Sequence, residues 1–232
     1  MEKRKRGVIF YEGASMIDGG HDIVGIAAGF HAGRAANRKT GAMVQTYCGE
    51  CVHRAHRTCY VRVEAGPNRV WNAYRAGRYD KISLEEARRL LAGQLVRLGA
   101  YGDPAAIPFP VWDDILATAS GWTGYTHQWK HEQAAPFKRF AMASCDTMDE
   151  YREARATGWR AFYVVPKGTA KVPGAFLCPA SEEGGRKLTC SECLSCSGTS
   201  GKATASVFIP VHGLAYKQVR FSNLIQISKI SA

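Results

Sequence analysis

The chain has 232 residues, of which 46% are hydrophobic, enough to build a core in one large domain or two small ones. No stretch approaches the roughly 18 apolar residues of a membrane span, and the basic amino terminus lacks the apolar core of a signal peptide. We therefore expect a soluble, cytoplasmic protein with no membrane partner. The net charge of +11 favours either a nucleic-acid partner or compensation of a negative site.

The first forty-one residues are predicted to form a β-rich cap. Two apolar runs, at 7–11 and 22–28, are separated by the turn sequence Asp18-Gly19-Gly20. Such a pattern is typical of a β-hairpin. We therefore expect residues 1–41 to form a unit of their own ahead of the main domain.

From residue 42 onward, predicted strands alternate with helices over short connections. This alternation favours right-handed βαβ units and a parallel sheet of about six strands. The predicted fold is therefore α/β, a partial (β/α) barrel over 42–213, with 214–232 as a final strand or tail. Chemistry in such folds gathers at the carboxyl ends of the strands.

The first cysteine group follows a strand predicted at 42–47. Its sequence, CGECVHRAHRTC, spaces the cysteines C-x2-C-x7-C at Cys48, Cys51 and Cys59. These thiolates could hold an iron–sulfur cluster, or they could hold zinc together with His56. A single site shared with the second cysteine group is a third possibility.

The second cysteine group carries the strongest chemical signal in the chain. Residues 178–196 space four cysteines C-x11-C-x2-C-x2-C, at Cys178, Cys190, Cys193 and Cys196. Two residues between cysteines allow both thiolates to face one ion or one cluster. Because the chain has no export signal, bound metal is favoured over disulfides or free thiols.

Several polar residues fall at predicted strand ends. Gly102 and Asp103 follow the second strand, Ser144 and Asp146 the fourth, and Cys178 the sixth. We therefore expect both cysteine groups at the same rim of the barrel, which makes iron–sulfur chemistry likelier than zinc. His127 and His212 also lie at strand ends as candidate proton donors or further ligands, whereas Cys145 is expected to be a buried small hydrophobe.

The order of these motifs resembles the radical S-adenosylmethionine superfamily and, more narrowly, small phage proteins of the type called gene product 88. The resemblance covers roughly 42–213. It implies that Cys48, Cys51 and Cys59 hold three irons of a [4Fe–4S] cluster and leave one iron open. It also implies that S-adenosylmethionine is met at its amino group by Gly102 and Asp103, and at its ribose or carboxylate by Ser144 and Asp146. The cysteine spacing departs from the superfamily's usual C-x3-C-x2-C.

Two functions follow as hypotheses. In the first, a phage-encoded protein in the cytoplasm of a bacterial host binds one or two [4Fe–4S] clusters, with reductive cleavage of S-adenosylmethionine if it is an enzyme. In the alternative, a basic viral protein stabilised by Zn²⁺ binds nucleic acid without catalysis.

Overall fold

The computed structural model describes residues 10–11, 14–18, 23–27, 51–59, 76–78, 82–99 and 102–230. Its strands are β1 (Phe10–Tyr11), β2 (Ala14–Asp18), β3 (Ile23–Ala27), β4 (Leu95–Leu98), β5 (Gly121–Thr123), β6 (Tyr125–Thr126), β7 (Met142–Cys145), β8 (Ala161–Val165), β9 (Ala175–Leu177) and β10 (Ser206–Pro210). Its α-helices are α1 (Val52–Ala55), α2 (Leu84–Leu91), α3 (Phe109–Leu116), α4 (Met148–Ala156), α5 (Cys190–Cys193) and α6 (Ala215–Ile230). Short 3-10 helices occupy Pro104–Ala106, Glu132–Arg139 and Gly198–Ser200.

The strands form two five-stranded sheets, in the orders β1-β2-β3-β4-β5 and β6-β7-β8-β10-β9. The second sheet is parallel throughout, and β3, β4 and β5 are parallel in the first. Between β5 and β6 lies only Gly124, whose carbonyl accepts a hydrogen bond from the Met142 amide at the start of β7. The predicted α/β fold with parallel strands is therefore confirmed.

The amino-terminal strands pair differently from the prediction. The expected hairpin joined 7–11 to 22–28, whereas the structure pairs β2 with β3, with Ser15 opposite Ala27. Strand β3 then pairs in parallel with β4, so this hairpin extends the first sheet. The strand predicted at 42–47 lies outside the described residues.

Helix starts follow local capping chemistry. The Ser83 hydroxyl accepts a hydrogen bond from the Glu86 amide at the start of α2, and Thr147 does the same for Glu150 at the start of α4. Each such cap stabilises its helix by about 1 kcal/mol. The core between these helices and the sheets contains Trp112, which is fully buried and donates its indole N–H to the Pro104 carbonyl.

The carboxyl-terminal segment is a helix, which corrects the prediction of a strand or tail for 214–232. The amides of Lys217 and Gln218 bond to the Leu214 carbonyl and begin the helical pattern. Phe221 and Ile225, four residues apart, share one helix face and are 2% and 5% exposed. This face packs beside Val211, so helical spacing rather than alternation buries the apolar residues. In the part of the chain that the structure describes, no helix has the length and apolar character to cross a membrane.

Candidate metal centre

A cavity of about 350 Å³ lies within the parallel strands and is lined by both cysteine groups. Its apolar wall consists of side chains from β8, β9 and β10, namely Phe162, Val164, Phe176, Val207 and Ile209. Six of the seven described cysteines face it: Cys51, Cys59, Cys178, Cys190, Cys193 and Cys196. None of the seven forms a disulfide. The seventh, Cys145, is fully buried in the core as expected.

The sequence predicted both cysteine groups at one rim of the barrel, but the structure separates them. Arg160, which directly precedes β8, bonds to the carbonyls of Ser195, Gly198 and Ala205. The segment that holds Cys190, Cys193 and Cys196 therefore lies toward the amino ends of the strands.

The parallel pairing of β9 and β10 explains this placement. Strand β10 lies between β8 and β9 and is parallel to both. The chain must therefore return from the carboxyl end of β9, where Cys178 lies, to the amino end of β10. The cysteine-rich segment makes this return. The strand-end rule consequently holds for Cys178 but fails for the three cysteines that follow it.

Local hydrogen bonds hold the cysteine-rich segment in shape. Thr189 and Glu192 form a capping box at the start of α5, which begins at Cys190 and ends at Cys193. Leu194 then adopts a left-handed conformation, with φ of +48°, and reverses the chain. The Gly124 amide donates to the Cys196 carbonyl, which ties the segment to the break between β5 and β6.

The four thiols of this group influence one another electrostatically. Burial raises the pKa of Cys178, although hydrogen bonds from the backbone amides of Ala180 and Ser181 oppose that change. Burial, followed by the charges of Cys178 and Cys190, raises the pKa of Cys196 to about 12. The thiolates of Cys178 and Cys196 would therefore need a metal or nearby cations to be stable.

Two arginines supply positive charge here. Arg97 donates to the Cys190 sulfur at 3.8 Å and to the Tyr125 hydroxyl. The Arg160 guanidinium is only 6% exposed, and its hydrogen bonds all go to carbonyls, with no carboxylate partner among the described residues. Part of the chain's positive charge thus lies inside, beside the thiols.

The first cysteine group lies at the other end of the cavity, on the loop around α1. The amides of Thr58 and Cys59 both donate to the His53 carbonyl, at 2.9 and 3.1 Å, and close this loop. Helix α6 covers it, because Lys217 donates to the Cys59 carbonyl and the Phe221 ring stacks on His53 at 5.8 Å. Cys48 lies outside the described residues, and His56, the histidine of the zinc alternative, is exposed.

The residues predicted to meet S-adenosylmethionine divide into two sets. Ser144 lines the cavity. Asp146 reaches it indirectly, because it accepts a 2.8 Å hydrogen bond from His53, and the His53 side chain lines the cavity. Asp103, by contrast, lies outside the lining. Its carboxylate accepts from the Thr126 hydroxyl and from the amides of Ala105 and His127. Gly102, also outside the lining, is exposed with φ of +81°.

Sequence reasoning missed the role of His53. Its side chain is 12% exposed and lies between Asp146 and Thr58. Burial alone would raise the pKa of Asp146, but the hydrogen bond from His53 and the nearby histidine rings lower it. Burial lowers the pKa of His127, against the nearby charge of Asp146. The sequence signal for His53 was its position two residues after Cys51.

Comparison of the chain with protein-family models, with curated proteins and with solved structures yields no match.

Proposed function

We propose that the chain is an iron–sulfur protein with two cluster sites facing one cavity. Cys178, Cys190, Cys193 and Cys196 would hold a [4Fe–4S] cluster at one end of the cavity. Cys48, Cys51 and Cys59 would hold a second cluster at the opposite end and leave one iron open. The main support for the proposal is that six cysteines, from two groups far apart in the sequence, line one cavity of about 350 Å³.

Nearby charge supports a cluster at the second cysteine group. A [4Fe–4S] centre with four thiolates is negative, and Arg97 and Arg160 provide cations beside it. The backbone amides of Ala180 and Ser181 oppose the rise in the pKa of Cys178, and polar groups beside a ligating sulfur tune cluster potentials.

The first cysteine group suggests a more specific activity. When bound, such clusters supply single electrons, and an iron with an open position can bind S-adenosylmethionine and cleave its sulfonium bond reductively. The chain's part would be to exclude water with the apolar wall and to orient the ligand with polar groups such as Ser144. The motif order that resembles the radical S-adenosylmethionine superfamily, and its gene product 88 type, supports this activity.

Metal analysis of anaerobically purified protein tests cluster binding. We expect brown protein in which Cys193→Ala and Cys51→Ala each lose about half of the iron and sulfide, because each removes one cluster ligand. Cys145→Ala is the matched control, since this cysteine is buried away from the cavity and should leave both contents unchanged. Colourless wild-type protein that contains only zinc would overturn the proposal.

A separate assay tests cleavage of S-adenosylmethionine. Dithionite-reduced wild-type protein is expected to release methionine and 5′-deoxyadenosine, with the electron supplied by dithionite and the hydrogen atom by substrate or buffer. Cys51→Ala should release neither product. If wild-type protein with full iron content also releases neither, cleavage is refuted and cluster binding stands.

Nucleic-acid binding is the second candidate, suggested by the net charge of +11. Several surface cations are paired with acids, such as Arg139 with Asp113 at 2.7 Å and Lys130 with Glu150 at 2.8 Å. These pairs do not reduce the excess, because their acids are already counted in the net charge, but Arg97 and Arg160 beside the thiols favour charge compensation for part of it. Gel shifts with DNA and RNA at low salt decide between the two, because phosphate binding weakens steeply as salt rises.

A further inference from the structure

Three polar side chains from separate elements meet at the end of the cavity that holds Cys51. His53 lies on α1, His127 directly follows β6, and Asp146 directly follows β7. One ligand atom of each lies within 4.8 Å of those of the other two. The two imidazole rings meet edge to face, with centroids 5.3 Å apart. Both histidines line the cavity.

Hydrogen bonds orient this cluster but leave it incomplete. His53 Nδ1 bonds with the Thr58 hydroxyl at 2.7 Å, which turns Nε2 toward Asp146 Oδ2 at 2.8 Å. The other carboxylate oxygen, Asp146 Oδ1, is buried with no hydrogen-bond partner among the described residues. The His127 ring likewise makes no hydrogen bond to the part of the chain that the structure describes. A buried carboxylate oxygen without a partner is unusual in native proteins.

We propose that His53, His127 and Asp146 bind one divalent first-row transition-metal ion. The ion would take His53 Nε2, a His127 ring nitrogen and the Asp146 carboxylate, and would thereby satisfy the buried oxygen. Two imidazoles and one carboxylate are the ligands of non-haem Fe(II) sites with open positions. Thr58 would orient the His53 ring from outside the ligand set, as hydrogen-bond partners of metal-bound histidines commonly do.

The surrounding charges favour a cation at this position. The carboxylates of Asp103, Asp146 and Glu150 all act on His127. Lys130 is nearby, but its ammonium pairs with Glu150 at 2.8 Å. A divalent ion would add positive charge beside these carboxylates.

This site differs in chemistry from the cysteine sites. Nitrogen and oxygen ligands accept harder ions than thiolates do, so the ion and the clusters would be loaded independently. Because the two histidines line the cavity, the open positions of the ion would face it. A small ligand with a carboxylate or another oxygen donor could bind there.

Mn²⁺ is a suitable probe because it prefers oxygen and nitrogen ligands to thiolates. Binding is measured by loss of the free-Mn²⁺ electron paramagnetic resonance signal, with anaerobically purified protein that retains its clusters. We expect one Mn²⁺ per wild-type chain and affinity at least about tenfold weaker in His127→Ala and Asp146→Asn. Asp149→Asn is the matched control, since its side chain is 85% exposed and should leave binding unchanged.

Folding and cluster content are measured on the same samples. Asp146→Asn keeps the shape of the side chain, and His127→Gln is a second variant if either of the others melts at a clearly lower temperature. Sulfide content should stay at the wild-type value in all of them, and crystals soaked in MnCl₂ should show an anomalous peak between the three side chains. The proposal is overturned if wild-type protein binds no Mn²⁺, if the variants bind as wild type does, or if sulfide and Mn²⁺ binding fall together.

Discussion

The buried guanidinium of Arg160 is expected to hold the cysteine-rich segment in place, and Arg160→Met tests this role. Its nitrogens donate to Ser195 and Gly198 at 2.7 Å and to Ala205 at 2.6 and 3.2 Å. Methionine keeps much of the side-chain length and removes every donor. The segment that carries Cys196 would then lose its attachment to the start of β8.

The expected loss of stability follows from these partners. A hydrogen bond to a charged group contributes about 1.5–3 kcal/mol. Only the bond to Gly198 is fully buried, so water can replace the guanidinium at the Ser195 and Ala205 carbonyls. Removing a buried cation also removes its desolvation cost, which offsets part of the loss. We therefore expect Arg160→Met to lower the free energy of unfolding by about 3 kcal/mol.

Anaerobic chemical denaturation, with sulfide analysis of the folded protein, measures both consequences. Arg152→Met is the matched control, because Arg152 and Asp149 form a surface pair with side chains 72% and 85% exposed. Such pairs contribute less than about 1 kcal/mol. Arg160→Met should also lose about half of its sulfide, from the nearby cluster. Equal stability of the two variants together with full sulfide would refute this role for Arg160.

Three further predictions concern stability and thiol reactivity. Gly198→Ala should lower the free energy of unfolding by at least about 2 kcal/mol, because φ is +66° and a Cβ would lie 2.5 Å from the Lys138 carbonyl oxygen. The control, Gly168→Ala, has φ of +85° but open space around it, and should lower the free energy of unfolding by about 1 kcal/mol. Thermal melts that show equal losses would contradict this. Phe221→Ala should lower the free energy of unfolding by about 3 kcal/mol and speed amide hydrogen exchange in the loop that carries His53. Val219→Ala, at a position 60% exposed, should do neither. Unchanged exchange in Phe221→Ala would refute the covering role of α6. Burial raises the pKa of Cys196 to about 12, so this thiol should be protonated in cluster-free protein at neutral pH. We expect it to be alkylated far more slowly than exposed Cys190. Equal alkylation rates, measured by peptide mass spectrometry, would contradict a protonated, partly buried thiol.

Local chemistry made part of this structure predictable. Ser83 caps its helix through a backbone amide three residues away, so a short window of sequence sufficed to place the start of α2. The cysteine spacing could be read from the sequence for the same reason. The helix at Ala215–Ile230 was missed, because its buried residues Phe221 and Ile225 are visible as a face only when helical spacing is assumed.

The sequence by itself determined the cysteine groups, the parallel α/β character and the strand-end position of Cys178. Only the tertiary structure decided that Cys196 lies near the amino ends of the strands, because β10 pairs in parallel with β9 and the segment between them must return to that end. It also brought His53 to Asp146, by packing Phe221 of α6 onto the loop that carries the histidine. Cysteine spacing is a property of neighbouring residues, whereas strand order and helix docking depend on contacts between segments far apart in the chain, and no short window of sequence contains them.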